Sequence, residues 1–568
     1  MTSKPCYWLL AAALSLSVHA AASDPNQPGD IRGVTRNSSG VPLPNATVTV
    51  HSVEAKFDRT VTCKGDGSFS VEHLKPGKYQ LTARTENLVS PNASVVDLEP
   101  GGLAKVEIPL VENASSLAPK TNAVPAPQNF WNRLAKAYVD DWHDRTAGGP
   151  DPGFRGYPAP ESDPPYPFTV WPYGGSPVIG QPNQTPPPLM QALYGGPNGD
   201  AWKAANIQIY GWANTGFNVS TSDRGKFANA PAAYAQVPDS IQLDQLALYV
   251  EKVPDTIQTD HFDWGFRLTQ IYGMDYRFTT SKGIFSNQLI GENNKYGYDP
   301  VMAYVDLYFP QVADGLNIRV GRYISLPDIE AQLAPNNYTY THSLTYTYDC
   351  YTQDGVNATF KFGDHWMWQV GLSAGCDAAP WTSDAKLTGN TCLSYAWMQG
   401  GDEIYACANS LNDSKYAYNN LAAYYLTWYH KINSKWHTDT ESWYQYMRDV
   451  PSIFGSIPAE RGSNGAWCNV GEQSCFAPEW AIVNYVERQL GKKDYLSIRN
   501  EYFDDIKGQR TGYKTRYSEH LLGWGHWIGS TILLRPELSF LHAYDYPAFD
   551  SGTKKNQMML AGDLIWFY

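Results

Sequence analysis

The chain has 568 residues, a formal net charge of -13 and an aromatic content of 14%, with 39 Tyr and 19 Trp. This length exceeds that of one ordinary domain, and no window after residue 22 approaches the eighteen or so uncharged apolar residues of a spanning helix. The acidic balance and the lack of a basic tract argue against nucleic acid and anionic membrane surfaces as partners.

The first 22 residues have the pattern of a secretory signal. Lys4 supplies the basic start, residues 7–18 form an apolar run, and three alanines end at Ala22, after which cleavage is expected. The pattern predicts export, and therefore an environment in which disulfides form.

Residues 23–112 are expected to form a small β-sandwich. Gly, Pro and Asn separate short alternating segments, which is typical of half-buried strands. The elements GVPLPNATVTV at 40–50, DGSF at 66–69 and LKPGKYQL at 74–81, in this order, resemble the carboxypeptidase regulatory-like domain family. The resemblance implies a seven-stranded transthyretin-like sandwich.

Two features of this domain bear on metal chemistry and reactivity. His51 and Glu54 match the His-x-x-Glu pattern of zinc carboxypeptidases, but only His73 is available in the domain as a further histidine ligand. We therefore predict no metal site and no cofactor. Cys63 is expected to be a buried small hydrophobe rather than a reactive thiol.

Residues 113–203 are expected to link the two folded parts. Apolar residues at helical spacing between 129 and 145 predict one short amphipathic helix that packs on the mouth of the following domain. The alternative is an interfacial helix on the inner leaflet, which Asp140, Asp141 and Asp144 disfavour. The proline-rich residues 146–203 are predicted to be an extended linker.

Residues 204–568 show alternation with a period of two, in segments of about ten residues. Within residues 262–269, for example, Asp263, Gly265 and Arg267 alternate with aromatic residues, as expected when one face meets lipid and the other a polar lumen. The predicted strands are residues 206–219, 240–252, 260–275, 300–309, 315–323, 355–363, 366–375, 416–432, 435–448, 478–490, 493–505, 513–528, 530–543 and 556–568. The pattern thus predicts an all-β protein, in which a transmembrane antiparallel β-barrel of about 14 strands, with 12 to 16 allowed, follows the sandwich.

The connections between these strands alternate between short and long. This asymmetry is expected for short periplasmic turns and long outer loops, and an even strand number places both barrel ends, together with the N-terminal domain, in the periplasm. The last strand, LAGDLIWFY at 560–568, ends on an aromatic residue and looks like the terminal strand that the barrel-assembly machinery recognises.

Three segments of the barrel resemble the OmpL-like β-barrel porin family. They read LNIRVGRY at 316–323, LAPNNY at 333–338 and GVNATF at 355–360, and the resemblance covers most of residues 204–568. It implies a channel in the bacterial outer membrane without naming the solute. The N-terminal domain is an addition to the usual pattern of that family.

Charged residues on the polar strand faces, and in one long loop, are the candidates for the pore lining. A dry core would bury such charges at a high cost, whereas a hydrated lumen accepts them. Residues 324–354 either fold into the lumen or lie over the outer rim, and both arrangements remain open. The pore-lining candidates are Asp263, Arg267, Arg319, Asp328, Glu330, Arg499, Glu501, Arg535 and Glu537.

Six cysteines fall in segments predicted to be outer loops or strand tops. Six cysteines allow fifteen pairings. From their positions in neighbouring strands or in one loop, we predict three bonds, namely Cys350–Cys376, Cys392–Cys407 and Cys468–Cys475.

These features favour passive diffusion of small hydrophilic solutes or ions as the function. The barrel is expected to lie in outer-membrane lipid, and it could assemble into a homo-oligomer. The alternative is a closed barrel that serves as an adhesin or envelope anchor. A TonB-coupled transporter would need a plug and about 22 strands. Enzyme function is not expected, because Ser518 with His520 and His526 lacks the surroundings of a catalytic nucleophile.

Overall fold

The computed structural model describes residues 28–37, 41–53, 58–85, 88–90, 93–112, 129–143, 185–256, 258–363, 365–397, 402–433 and 435–568. The predicted signal segment, Glu54 and linker residues 146–184 lie outside these ranges. The chain forms two compact units, Met1–Ala126 and Pro127–Tyr568. Among the described residues, none of the helices has the length and apolar character needed to cross a membrane.

The first unit is a β-domain whose strands enclose an apolar core. The strands are β1 (Gly29–Asn37), β2 (Thr47–Ser52), β3 (Asp58–Thr62), β4 (Ser68–Leu74), β5 (Gly77–Arg84), β6 (Leu88–Val89), β7 (Ser94–Leu98) and β8 (Leu103–Glu112). They follow the order β3-β2-β5-β6-β8-β1-β4, with β7 on β5, and β1 and β8 pair in parallel. This makes eight described strands where the resemblance implied seven. Phe69, Tyr79 and Leu81 fill the core, and Cys63 is buried in it as predicted.

The second unit is built on a closed antiparallel barrel of 16 strands. The strands are β9 (Gln208–Ser220), β10 (Ile241–Lys252), β11 (Asp263–Gly273), β12 (Gly297–Phe309), β13 (Leu316–Ile324), β14 (Thr352–Phe362), β15 (Trp366–Cys376), β16 (Thr388–Trp397), β17 (Asp402–Leu411), β18 (Ala422–Lys431), β19 (Trp436–Pro451), β20 (Ser474–Gln489), β21 (Asp494–Asp505), β22 (Thr515–Ile528), β23 (Ile532–Ala543) and β24 (Asn556–Phe567). Each strand pairs with its neighbour in sequence, and β24 closes the barrel on β9.

The barrel has two strands more than the 14 expected. The additional pair, β16 and β17, lies in the segment that the sequence assigned to a long outer loop, residues 376–415. Their inward positions carry small or polar residues, among them Ser394 and Asn409, so the alternation of apolar and polar residues is weak there. The alternation of short and long connections continues around the barrel and brings both ends of the barrel to the side with short turns.

In the described residues of the second unit that precede the barrel, three helices form: α1 (Phe130–Trp142), α2 (Pro188–Tyr194) and α3 (Gly199–Ala205). Two short helices, α4 (Tyr276–Thr279) and α5 (Leu344–Thr347), lie in long loops. The predicted linker 146–203 was therefore wrong at its end, where α2 and most of α3 form. Proline is compatible with the first turn of α2, because its missing N–H has no partner there.

Helix α1 packs on the end of the barrel that carries the short turns, as predicted. The Asp141 carboxylate accepts hydrogen bonds from the Ser530 backbone N–H (2.9 Å), the Ser530 hydroxyl (2.6 Å) and the Thr531 hydroxyl (2.7 Å) in the turn between β22 and β23. The Tyr138 hydroxyl donates to the carbonyl of Phe567 (3.0 Å) at the end of β24. Asp141 is one of the three aspartates that disfavoured a lipid-facing helix, and it anchors α1 on the barrel.

Candidate functional site: the lumen and the loop that enters it

The loop between β13 and β14 lies inside the barrel. We call residues 325–351 the lumen loop. All of them are buried except Tyr348, which is half-buried. The loop contains a 3-10 turn at Ala334–Asn336 and helix α5. Of the two arrangements left open by the sequence, the structure has the loop in the lumen.

Two glutamates of the barrel wall hold the backbone of the lumen loop. Glu501 on β21 accepts hydrogen bonds from the Leu344 N–H (2.9 Å), the Thr345 N–H and the Thr345 hydroxyl (2.6 Å). Glu537 on β23 accepts them from the Tyr340 N–H (2.8 Å), the Thr341 N–H (3.1 Å) and the Thr341 hydroxyl. With three hydrogen bonds to each of them, these two side chains fix the middle of the loop.

Two arginines connect the loop to other charges of the wall. Arg499 forms a bidentate ion pair with Glu519 (2.9 and 3.0 Å) and donates to the carbonyl of Thr341. Arg535 pairs with Asp563 (2.9 Å from Nε to Oδ1) and donates to the carbonyls of Ala334 (2.8 Å) and Asn337 (2.7 Å).

Three other candidates, two basic and one acidic, pair with residues along the wall rather than across the lumen. Arg319 forms two 2.9 Å bonds to Asp306, and Arg267 pairs with Glu251 on the neighbouring strand (2.6 Å). Asp263 lies at the start of β11, where it accepts from Lys252 (3.1 Å) and is only half-buried. These three residues therefore stiffen the wall.

Glu330 and Asp328 belong to the lumen loop itself. Glu330 accepts from the Ser343 N–H (3.0 Å) and from the Tyr485 hydroxyl, and its Oε1 lies 3.8 Å from Nη1 of Arg499. Asp328 has no such bond and lies close to two other carboxylates.

The expectation that water surrounds these charges was wrong for most of them. Arg499, Arg535 and Glu537 are 0, 2 and 3% exposed, and they are satisfied by protein groups. A buried charge is tolerated only when it is paired and hydrogen-bonded, which is the arrangement seen here.

Large aromatic residues, which the sequence analysis did not select, fill much of the space beside the loop. Tyr249, Tyr323, Trp443, Phe503 and Trp527 face inward and belong to one buried cluster. Trp443 also donates to the carbonyl of Thr345 in the loop (2.9 Å). Strand alternation contains part of this signal, because Phe503 lies two residues after the candidate Glu501 and therefore shares its face.

A cavity of about 220 Å³, which we call the vestibule, lies on the side of the long loops. The lumen loop contributes Tyr348 and Tyr351 to its lining, and Arg277, Asp377 and Arg510 add charges. Burial raises the pKa of Asp377 to about 6, although its carboxylate accepts bonds from the Thr352 N–H (2.8 Å) and hydroxyl (2.9 Å). The vestibule thus combines both signs of charge above the lumen loop.

The three disulfides in the structure are Cys350–Cys376, Cys392–Cys407 and Cys468–Cys475, the pairings that the sequence predicted. The first joins the end of the lumen loop to β15. The second was misplaced in a loop, because Cys392 and Cys407 are direct partners on β16 and β17.

The residues considered for hydrolase chemistry do not contact one another. Ser518 hydrogen-bonds the Tyr544 hydroxyl (3.2 Å), and His520 hydrogen-bonds Asn500 (2.8 Å). No nucleophile–base pair is formed by these residues.

No curated protein matches the chain. Comparison with solved structures finds outer-membrane proteins at low similarity. The anion-selective porin from Comamonas acidovorans has 10% identity and a TM-score of 0.40, with 64% of this chain and 99% of that one covered. The outer membrane channel DcaP of Acinetobacter baumannii has 10% identity and a TM-score of 0.41, with 64% and 97% covered. OmpT of Vibrio cholerae, in its trimer form, has 9% identity and a TM-score of 0.39, with 64% and 99% covered. Likeness at this level carries no argument about selectivity or assembly.

Comparison with protein families gives two matches. Residues 30–111 match the family described as "Carboxypeptidase regulatory-like domain". Residues 206–567 match the family described as "Putative beta-barrel porin-2, OmpL-like". Because this second match covers well over half of the sequence, the chain belongs to the OmpL-like β-barrel porin family.

Proposed function

We propose that this outer-membrane porin allows small hydrophilic solutes or ions to diffuse passively, with the vestibule as the entrance and the lumen loop as the barrier. The lumen loop is the observation that carries the proposal, because a segment held inside a barrel by specific charges restricts passage. Barrels of 16 to 18 strands are wide enough for an aqueous channel, so such a loop has a lumen to regulate.

The vestibule suggests which solutes could enter. Its volume of about 220 Å³ is below the roughly 300–1,000 Å³ of pockets that hold drug-sized ligands. Arg277, Asp377 and Arg510 offer charged contacts there, which suits ions and small polar solutes rather than large or apolar ones. We therefore expect a small conductance that depends on displacement of the lumen loop.

The proposal includes an orientation of the chain. The barrel begins and ends on the side of the short turns, and short turns face the periplasm in bacterial barrels of this kind. This supports a periplasmic N-terminal domain and outer loops exposed at the cell surface. Recognition of β24 by the barrel-assembly machinery, and assembly into a homo-oligomer, belong to the same proposal.

The extensive burial of the lumen favours a second candidate, a closed barrel that acts as an adhesin or envelope anchor. The two functions differ in conductance. Purified full-length protein, refolded and shown to migrate as a folded barrel, should give discrete ion-selective steps in a planar bilayer. Silence from the same folded protein, together with no solute uptake by liposomes that contain it, would reject the porin proposal and support the closed barrel.

A further inference from the structure

Three acidic side chains meet in the lumen at a point that the hydrogen-bond network leaves unsatisfied. Asp328 lies near the start of the lumen loop, Asp349 lies near its end, and Glu441 lies on β19 of the wall. Each of the three has a carboxylate oxygen within 4.8 Å of the others. Their exposures are 1, 0 and 1%, so bulk water does not solvate them.

Four of the six carboxylate oxygens in this cluster have no hydrogen-bond partner. Neither oxygen of Asp328 or of Asp349 has a hydrogen-bond partner, and Glu441 accepts from Thr427 (3.1 Å). Within the described ranges, no Lys, Arg or His forms an ion pair with any of the three. Arg510 is near, but its guanidinium bonds the backbone carbonyl of Asp349 rather than the carboxylate.

A second observation points into the same place. The hydroxyl of Tyr425, on β18, is buried and forms no hydrogen bond to a side chain. It lies close enough to interact electrostatically with all three carboxylates. Glu501 and Glu537, which hold the middle of the same loop, each accept three hydrogen bonds, in contrast to Asp328 and Asp349 at its ends.

We propose that Asp328, Asp349 and Glu441 bind one calcium ion. Calcium takes six to eight oxygen ligands at about 2.4 Å, and the three carboxylates lie close enough together to share one such ion. A divalent ion reduces three buried negative charges to a net of one. Magnesium fits less well, because it demands near-ideal octahedral geometry and usually keeps several of its waters instead of taking an all-protein cage.

The position of the site gives the ion a structural role. Because Asp328 and Asp349 lie near opposite ends of the lumen loop, one ion on Glu441 would fasten both ends to β19. Glu501 and Glu537 hold the middle of the same loop. Calcium would therefore stabilise the loop within the lumen, and its binding can be measured whether or not any solute passes.

Direct binding measurements test the proposal. Full-length protein refolded from denaturant with a chelator, and then freed of it, should bind about one calcium ion per chain by equilibrium dialysis and calorimetry. Its thermal midpoint should rise with calcium more than with magnesium. Asp328→Asn, Asp349→Asn and Glu441→Gln should each weaken calcium binding at least tenfold, and acidification should weaken it in the wild type, since protons compete for the ligands.

Glu479→Gln is the matched control. Glu479 is also fully buried on the wall, and both of its oxygens lack partners, but it lies outside the cluster. It should bind calcium as the wild type does. Absence of bound calcium in folded wild-type protein at millimolar calcium would overturn the proposal, as would undiminished binding by the three folded variants. If those variants do not fold, the stoichiometry and metal preference of the wild type decide the question alone.

Discussion

Loss of the two carboxylates that hold the middle of the lumen loop should open the pore. The double substitution Glu501→Ala and Glu537→Ala removes the acceptors for four backbone N–H groups and two hydroxyls of the loop. In the docked position these donors would then be buried without partners. Displacement of the loop exposes them to water, so the substitution favours the displaced state.

The size of the effect follows from the hydrogen bonds lost. A buried donor that loses its acceptor costs about 1–3 kcal/mol. With a conservative net loss of about 2 kcal/mol for each carboxylate, the equilibrium between docked and displaced loop shifts by about 4 kcal/mol, or roughly three orders of magnitude. If docking of the loop is favoured by about 4 kcal/mol in the wild type, the loop of the double variant would be displaced for about half of the time.

Single-channel recording in planar bilayers measures this shift as a larger conductance or a higher open probability. Glu479→Ala provides the control, because Glu479 is buried on the same wall without holding the loop. It should leave the conductance close to that of the wild type. A folded double variant whose open probability and conductance stay within twofold of the wild type would refute the view that these carboxylates hold the barrier.

Three further predictions concern the attachment of α1, the vestibule and the end of the loop. Asp141→Asn should weaken the docking of α1 on the barrel by about 1–3 kcal/mol, so that limited proteolysis cleaves this helix faster. The adjacent, more exposed Asp140→Asn is the control and should change the docking free energy by less than about 1 kcal/mol. Equal rates of proteolysis for the two variants would contradict the anchoring role of Asp141. Because burial raises the pKa of Asp377 to about 6, this carboxyl group gains a negative charge as the pH rises from about 5 to 7. Reversal potentials should therefore show a cation preference that grows over this pH range. The variant Asp377→Asn should lose this pH dependence. Replacement of both Cys350 and Cys376 by Ser should lower the free energy of unfolding by about 2–4 kcal/mol in urea titrations, and an unchanged midpoint would show that the bond constrains little.

Much of the barrel could be predicted from the sequence because strand alternation is a local property. A face that meets lipid requires apolar residues at every second position, and the pattern marked 14 of the strands directly. The segment holding β16 and β17 escaped because Ser394, Asn409 and two inward cysteines mimic a loop composition. Only the closure of the barrel requires those strands, and closure is not a local property.

The candidate site shows the same division between local and distant information. Alternation correctly selected Arg499, Glu501, Arg535 and Glu537 as members of inward faces. Their partners could not be derived, since Glu501 bonds residues more than 150 positions away in the loop. The cluster of Asp328, Asp349 and Glu441 was missed for this reason, because no spacing rule joins residues from a loop and a strand so far apart.

The distribution of aromatic residues explains why 16 strands do not imply a wide channel here. Exposed tryptophans such as Trp366, Trp428 and Trp524 lie on the lipid-facing surface, as expected for an outer-membrane barrel. Many tyrosines turn inward instead, because the ring fills space while the hydroxyl joins the polar network, as Tyr495 does with the carbonyl of Tyr338 (3.0 Å). The aromatic rings reduce the cross-section of the lumen that water can fill, so the wall and the lumen loop together narrow the path for solutes. Conductance in this porin should therefore depend on the position of the loop more than on the number of strands.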